Sequence, residues 1–296
     1  MTETAARSPK PTILLQLDTD PQPSVFDAVV AADSGVDHLL RHGSITPGVV
    51  RDLVHGLLFT RGGDDLRRSA VFVGGSDVAA GEAVLGAVLA TCFGPFRVSV
   101  LLDSKGANTT AAAAALAIER SLGPDPDWSL VRVAVLGAGP VGRRVARLLA
   151  RQGASVQVGS PDHDEARSPI EGLEVPGAAP IRPFRVAGDW AGEIAGATVV
   201  VAAGPPGVEI LPELGRDLCP DLKVAADLNA VPPHGLGGIK PTDAARDRGG
   251  VLSWGALGVG GLKMKIHKAV LRALFVGEPT AFDLEQVFEV ARRLAR

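Results

Sequence analysis

The sequence predicts an α/β protein of two domains, each built on a mainly parallel sheet. Three observations carry that expectation. From Ile13 onward short β-branched runs alternate with longer helical patterns, as strands joined by crossover helices do. The chain has 296 residues, beyond the about 100–200 usual for one domain. The segment SLGPDPDWS at 121–129 sets Gly, Pro and Asp between a helical run and a very apolar strand, as a domain junction would. The expected organisation is a loose polar tail over 1–11, an N-terminal α/β domain over 12–124 and a second α/β domain over 125–261. The helices from about 262 to 296 are left able to pack back on the first domain.

Taken in order, the expected strands are Ile13–Leu17, Ala70–Val73, Val98–Leu102, Val131–Leu136, Ser155–Val158, Thr198–Ala202, Lys223–Ala226 and Val251–Trp254. Start signals mark the helices between them. Ser24 is followed three residues on by Asp27, Thr46 precedes Pro47 at a first helical position, and Asn108-Thr109-Thr110 stands before an alanine run. The run Ala111–Ala115 reads as a helix packed closely on a sheet. Pro161–Gly177 is polar and turn-rich, with room for only a short helix.

Composition excludes several classes. Lys+Arg 30 against Asp+Glu 33 gives a net charge of −3, with no basic stretch interleaved with aromatics, so nucleic acid is not an expected partner. There is no tyrosine, which removes mechanisms built on a phenolic acid, including the Tyr-Lys pair of short-chain dehydrogenases. Cys92 and Cys219 form neither a CxxC pair nor a disulfide framework, and a reducing cytoplasm fits them. No run reaches the about 18 apolar residues of a membrane span. The six histidines show no HExxH or clustered Cys/His spacing, so no metal is expected.

The sharpest motif is VRVAVLGAGPVGRRVARLLARQGASVQV. A strand runs into Gly137-Ala138-Gly139-Pro140-Val141-Gly142, then a helix bearing apolar Val141, Val145, Leu148 and Leu149, then a second strand. In that context each glycine has its own role. Gly137 permits the tight turn, Gly139 lets backbone approach a pyrophosphate, and Gly142 allows close helix packing. The helix N-terminus offers its free N–H groups to the anion. The second domain is therefore expected to be a Rossmann-type NAD(P)-binding domain, and the first a substrate domain. Arg143, Arg147 and Arg151 at four-residue spacing could form a phosphate ladder, although a solvated helix face explains the last two better. The residue reading the ribose 2′ position should follow the second strand. Ser160 there suits a hydroxyl or a phosphate, Asp162 would favour NAD and Arg167 would favour NADP, so the motif leaves the choice open.

A second glycine-rich segment, Gly255 to Gly261, leads into LKMKIHKAVLRALF. On a helix of about 100° per residue, Leu262, Ile266, Ala269, Val270, Ala273 and Leu274 share a face, while Lys265, Lys268 and Arg272 form the wet side. Lys263 and His267 lie away from that wet side, one turn apart, and a lysine and histidine so placed need a reason. In open parallel sheets ligands sit beyond the C-terminal ends of strands. That rule selects Asp18-Thr19-Asp20, Gly74-Gly75-Ser76-Asp77, Asp103-Ser104-Lys105-Gly106, Ala203-Gly204 and Asp227-Leu228-Asn229. Among them Asp20 and Asp103 are candidates for substrate, and Ala203, Gly204 and Asn229 for cofactor, with Ser160 and the glycine loop.

Together these stretches resemble the NAD(P)-dependent methylene-tetrahydromethanopterin dehydrogenases of bacterial one-carbon metabolism, which are related to methylene-tetrahydrofolate dehydrogenases. The resemblance rests on DTDPQPSVFD (18–27), FTRGGDD (59–65), VFVGGSDVAAGE (71–82), GPFRVSVLLDSKGANTTAAA (94–113), GAGPVG (137–142), DLNAVPPHGLGGI (227–239) and GALGVGGLKMKIH (255–267). It implies two α/β domains with the active site in the crevice between them, and a homotrimer in which a neighbouring subunit completes that site. It also implies that Phe26, Thr110, Lys263 and His267 occupy active-site positions, that NADP or NAD is the cofactor, and that a tetrahydromethanopterin derivative is the substrate, in formaldehyde oxidation or methylotrophy. Strictly NADP-dependent members carry Arg-Lys where this chain has Ser160-Pro161, so dual use of NAD and NADP is expected.

Hydride loss from a methylene between two nitrogens leaves a resonance-stabilised methenyl cation, so no general base is required. A protonated Lys263 beside the reacting carbon would oppose the developing charge. Lys263 and His267 are therefore expected to position the pterin, and Phe26 to shape its aromatic pocket. Two other readings fit the sequence less well. A methylene-tetrahydrofolate dehydrogenase with cyclohydrolase activity would want the missing tyrosine. A non-catalytic NAD(P)-binding sensor would have no use for Lys263 and His267.

Overall fold

The computed structural model describes residues 10–161, 180–187, 190–212 and 217–294. Most of the expected tail lies outside the described residues, as does the short helix expected within 161–177. The chain forms two compact units, one of Met1–Gly106 with His267–Val287, the other of Ala107–Ile266 with Phe288–Arg296.

The first unit holds a five-stranded parallel sheet of β1 (Ile13–Asp18), β2 (His38–His42), β3 (Ser69–Gly74), β4 (Ser99–Leu102) and β12 (Ala281–Phe282). Its spatial order is β12-β4-β3-β1-β2. Helices α1 (Val25–Asp33), α2 (Pro47–Leu58) and α3 (Val78–Thr91) connect the strands. Strand residues Leu15, Leu17, Val71, Val73, Val100 and Leu102 bury against Val50, Val54 and Leu57 of α2 and Val84 and Val88 of α3. Strands apolar on both faces are what a parallel sheet covered by helices requires. The Ser24 side chain caps α1, accepting from the Asp27 N–H at 3.2 Å. Pro47 opens α2 as expected, without a side-chain bond from Thr46. The strand order reverses between β1 and β3, so a switch point lies beyond Asp18 and Gly74.

The second unit holds β5 (Arg132–Leu136), β6 (Ser155–Ser160), β7 (Arg182–Arg185), β8 (Val199–Ala202), β9 (Val224–Asp227), β10 (Arg246–Arg248) and β11 (Val251–Trp254). Their order is β10-β11-β9-β8-β5-β6-β7, parallel except for the antiparallel edge strand β10. Without β10 this is the 3-2-1-4-5-6 order of a dinucleotide-binding sheet, with its switch point between β5 and β8. Helices α4 (Ala107–Leu122), α5 (Pro140–Gln152) and the short α6 (Ala191–Ile194) belong here. Helix α7 (Ala256–Ala273) begins in this unit and passes to the first at His267, whereas α8 (Leu284–Arg293) passes the other way at Phe288.

Helix α4 departs from expectation in two ways. It starts at Ala107, so Asn108, Thr109 and Thr110 form its first turn instead of preceding it. Its buried alanines, Ala111–Ala115, pack closely on α5 as well as on β9, because methyl-sized side chains let helix backbones approach. Arg144 of α5 fastens the pair, donating from Nε to the Asn108 side-chain oxygen at 2.6 Å. Packed this way, α4 falls with the second unit, and the division comes at Gly106–Ala107 where the sequence suggests 124.

Candidate functional site

In the second unit the loop after β5 has the build that a pyrophosphate needs. Gly137 has φ +123°, and a Cβ there would stand 2.5 Å from the Ala203 carbonyl carbon. Only glycine lets β5 turn this sharply beside the β8 exit. A Cβ on Gly142 would collide with the Gly137 carbonyl oxygen, so this glycine seats α5 on the strand end. Gly139, by contrast, has nothing within 4 Å of its Cβ position and faces open space. Its exposed backbone and the N-terminus of α5 form the cradle that a phosphate would fill. Ala138, Pro140 and Val141 complete the loop, and Ala203 and Gly204 follow β8 beside it.

Ser160 ends β6 and is buried, with its carbonyl accepting the Val186 N–H at 2.8 Å. Asp162 and Arg167 lie outside the described residues. Asn229 is placed at the β9 exit, where its side chain braces its own loop and also accepts the Gly207 N–H of the loop after β8, at 3.4 Å. Its oxygen accepts the Val231 N–H at 3.0 Å and its amide donates to the Pro233 carbonyl at 3.1 Å. The Asp227 carboxylate takes the N–H groups of Asn229 and Leu236, at 2.9 and 3.0 Å. His234, which motif reading passes over, braces the same loop through Nδ1, which must donate because its partner, the Asn229 carbonyl, can only accept.

The second glycine segment divides by role. Gly255 and Gly258 have no room for a Cβ against the backbone of Lys240, Pro241 and Asp243, so they dock the start of α7. Gly260 and Gly261 have no neighbour within 4 Å. Asp243 holds the docking loop, accepting the Lys240 N–H at 2.8 Å and a two-pronged ion pair from Arg248 at 2.5 and 2.8 Å. The Arg248 guanidinium keeps the Asp243 carboxyl below the usual carboxylate range although burial opposes it. Lys263, on α7, and Thr110, on the first turn of α4, are each half-buried in this unit.

The first unit brings together a second set. His267 is 1 % exposed and lies between two phenylalanines. The Phe72 ring of β3 is stacked on it, 5.9 Å between centroids and 24° between planes. Phe26, on the first turn of α1, stands 6.4 Å away on a tilted ring and is half exposed. The loop carrying Phe26 is fixed by Asp18, whose carboxylate accepts the N–H groups of Asp20 and Ser24, each at 3.0 Å. Asp20 in turn ties the β1 exit to the β3 exit through the backbone and hydroxyl of Ser76, at 3.0 and 2.8 Å. Asp103 is buried at the β4 exit. Phe72 is absent from the sequence-derived candidates because a phenylalanine inside a buried strand reads as core. Among the described residues no group of three or more His, Cys, Asp or Glu could hold a metal ion, and no helix is long and apolar enough to cross a membrane.

Comparison with known proteins agrees with this geometry. The family model described as methylene-tetrahydromethanopterin dehydrogenase, N-terminal, matches residues 25–105. The bifunctional protein MdtA of Methylorubrum extorquens is 41% identical over 285 residues, covering 96% of this chain and 99% of that protein. The NAD(P)-dependent methylenetetrahydromethanopterin dehydrogenase of the same organism is 29% identical over 287 residues, covering 92% and 95%. Quinate dehydrogenase from Corynebacterium glutamicum, solved in complex with NAD, shares the fold with a TM-score of 0.53 at 19% identity, covering 97% of this chain and 100% of that one. With that extent of identity to a full-length relative, and with the glycine loop and the Phe26–His267–Phe72 cluster both built, the chain belongs to the methylene-tetrahydromethanopterin dehydrogenase family.

Proposed function

We propose that this protein oxidises methylene-tetrahydromethanopterin to the methenyl form, with NAD(P)+ as hydride acceptor. The observation that carries the reading is full-length similarity to members of this family in a chain whose glycine loop keeps an open cradle at Gly139. The nicotinamide supplies the two-electron acceptor; the chain supplies orientation. The methylene C–H bond breaks with its electron pair leaving as hydride, and the cation that remains is shared by the two flanking nitrogens. No proton has to be removed at that carbon. The side chains therefore hold and shape: half-exposed Phe26, with the buried His267 ring beside it, offers an aromatic face suited to a pterin ring, and Lys263, one helical turn before His267, makes polar contact with the pterin. Asp20 and Asp103 border the substrate. By likeness to the family Thr110 is assigned to the active site, and Ser160, Ala203, Gly204 and Asn229 to the cofactor. By likeness to the family the working form is a cytoplasmic homotrimer.

A second reading is a methylene-tetrahydrofolate dehydrogenase with cyclohydrolase activity; the 41% identical relative is named bifunctional, a name that specifies no activity. Anaerobic turnover of each methylene-pterin with NAD and with NADP distinguishes them when NAD(P)H and methenyl product are followed together. Equal yields establish hydride transfer and rank the substrates. NAD(P)H without methenyl product reveals a cyclohydrolase, and no turnover on any pair overturns the dehydrogenase.

A further inference from the structure

A cation suited to a phosphate stands on the strand next to β6. Strands β6 and β7 pair in parallel with Ser160 opposite Arg185, and residues so paired present their side chains on the same face. Phe184 fixes which face that is. Its ring fills the space beside Gly159, where a Cβ would come within 2.8 Å of the ring atom Cε1, and it is 5% exposed. Alternation along β7 therefore turns Arg185 away from Phe184 and onto the Ser160 side. The Arg185 side chain reaches back across the strand exit, its Nε donating to the Pro161 carbonyl at 3.4 Å. The guanidinium thus stands at the Ser160-Pro161 turn, and among the described residues four of its five N–H donors are left for another acceptor.

In a sheet of this order the adenosine ribose lies beyond the end of the second strand, which here is β6, and a nearby arginine is what admits a 2′-phosphate. We propose that Arg185 is the specificity-determining residue for NADP, binding the 2′-phosphate beside the Ser160-Pro161 turn. The proposal rests on the dinucleotide-binding reading of GAGPVG. Arg185 comes from a strand whose register is set by Phe184, so the sheet fixes where its side chain departs.

The test is direct binding, by fluorescence titration of the intact protein with NADPH and with NADH, and competition by 2′,5′-ADP against ADP. Arg185→Ala is expected to weaken NADPH and 2′,5′-ADP by about tenfold or more while NADH and ADP change by less than about twofold. Arg185→Lys is expected to restore part of the loss, since it returns the charge without the fork. Arg185 is exposed, so its removal should leave the thermal midpoint unchanged. NADPH affinity unaltered by Arg185→Ala overturns the assignment, and so does an equal loss for both nucleotides. A wild-type protein that binds neither nucleotide overturns the dinucleotide reading first, and this inference with it.

Discussion

The His267 imidazole lies stacked on the Phe72 ring, 5.9 Å between centroids, with both groups almost fully buried in the first unit. A phenyl ring offers a histidine no hydrogen bond, so what Phe72 fixes is the plane of the imidazole and its distance from Phe26. Phe72→Leu removes that shelf while leaving the strand apolar. It should cost about 1 kcal/mol of stability, raise KM for the methylene-pterin severalfold, and leave NAD(P)H binding unchanged. Equal losses for pterin and nucleotide would show general loosening instead of a lost support.

Gly137 and Gly139 are two residues apart and should fail in opposite ways. Gly137 needs its positive φ and has the Ala203 backbone against its Cβ position, so Gly137→Ala should cost about 1–2 kcal/mol from backbone conformation alone, with the overlap added. Gly139→Ala meets nothing within 4 Å and should fold with an unchanged thermal midpoint, yet bind NAD(P)H about tenfold more weakly because the methyl stands where a phosphate would approach. Thermal melts and nucleotide titrations on both variants check this. A Gly139→Ala protein of normal affinity would remove the phosphate from that loop.

The strands legible in the sequence are the interior ones of both sheets, and those it hides are the edges. β1, β3 and β4, with β5, β6, β8, β9 and β11, have a strand on each side and, for the most part, helices on both faces, so they read as continuous apolar runs. β2 reads HLLRH and is largely exposed, β7 contains Pro183, β10 is RDR, and β12 is two residues long. Edge strands tolerate charge and proline because one side needs no pairing, which erases the apolar signal. The same asymmetry governs the site. Gly137, Gly139 and Gly142 are legible because backbone geometry ties each to a residue type. The nearness of Phe72 to His267, and of Arg185 to Ser160, depends on pairing between distant segments, to which local patterns are blind. Asn229 is a polar strand exit legible in the sequence, but its side-chain bonds to its own loop and to the Gly207 turn are made only in the fold.

Lys263 tests whether the reaction uses a base. Hydride departure requires none, so Lys263→Met should raise KM for the pterin or lower kcat by about tenfold or more, and the pH profile should keep the limbs of the wild type. Loss of a titrating limb near neutral pH in the variant would make Lys263 an acid–base group. Lys263→Arg, which keeps the charge with a larger head, should recover pterin affinity only in part.

Asp243 links the start of α7 to pH. Arg248 donates two hydrogen bonds to its carboxylate and so lowers its folded-state value below 3.8, against the opposing effect of burial. The unfolded chain keeps the ordinary value and there binds a proton more readily than the folded chain does. The stabilisation is therefore complete above the ordinary carboxylate range and declines as pH falls through it toward the folded value. Asp243→Asn abolishes the ion pair and should lower the thermal midpoint by a few degrees at pH 7. The gap between wild type and variant should narrow as pH falls through the ordinary carboxylate range toward the lowered folded-state value, where the wild-type carboxylate itself becomes protonated. Since the loop that Asp243 holds docks Gly255 and Gly258, the variant should also loosen α7 and raise KM for the pterin at neutral pH, before any global unfolding. A gap in midpoint that stays constant from pH 7 to pH 2 would mean that the pair contributes no charge-dependent stability.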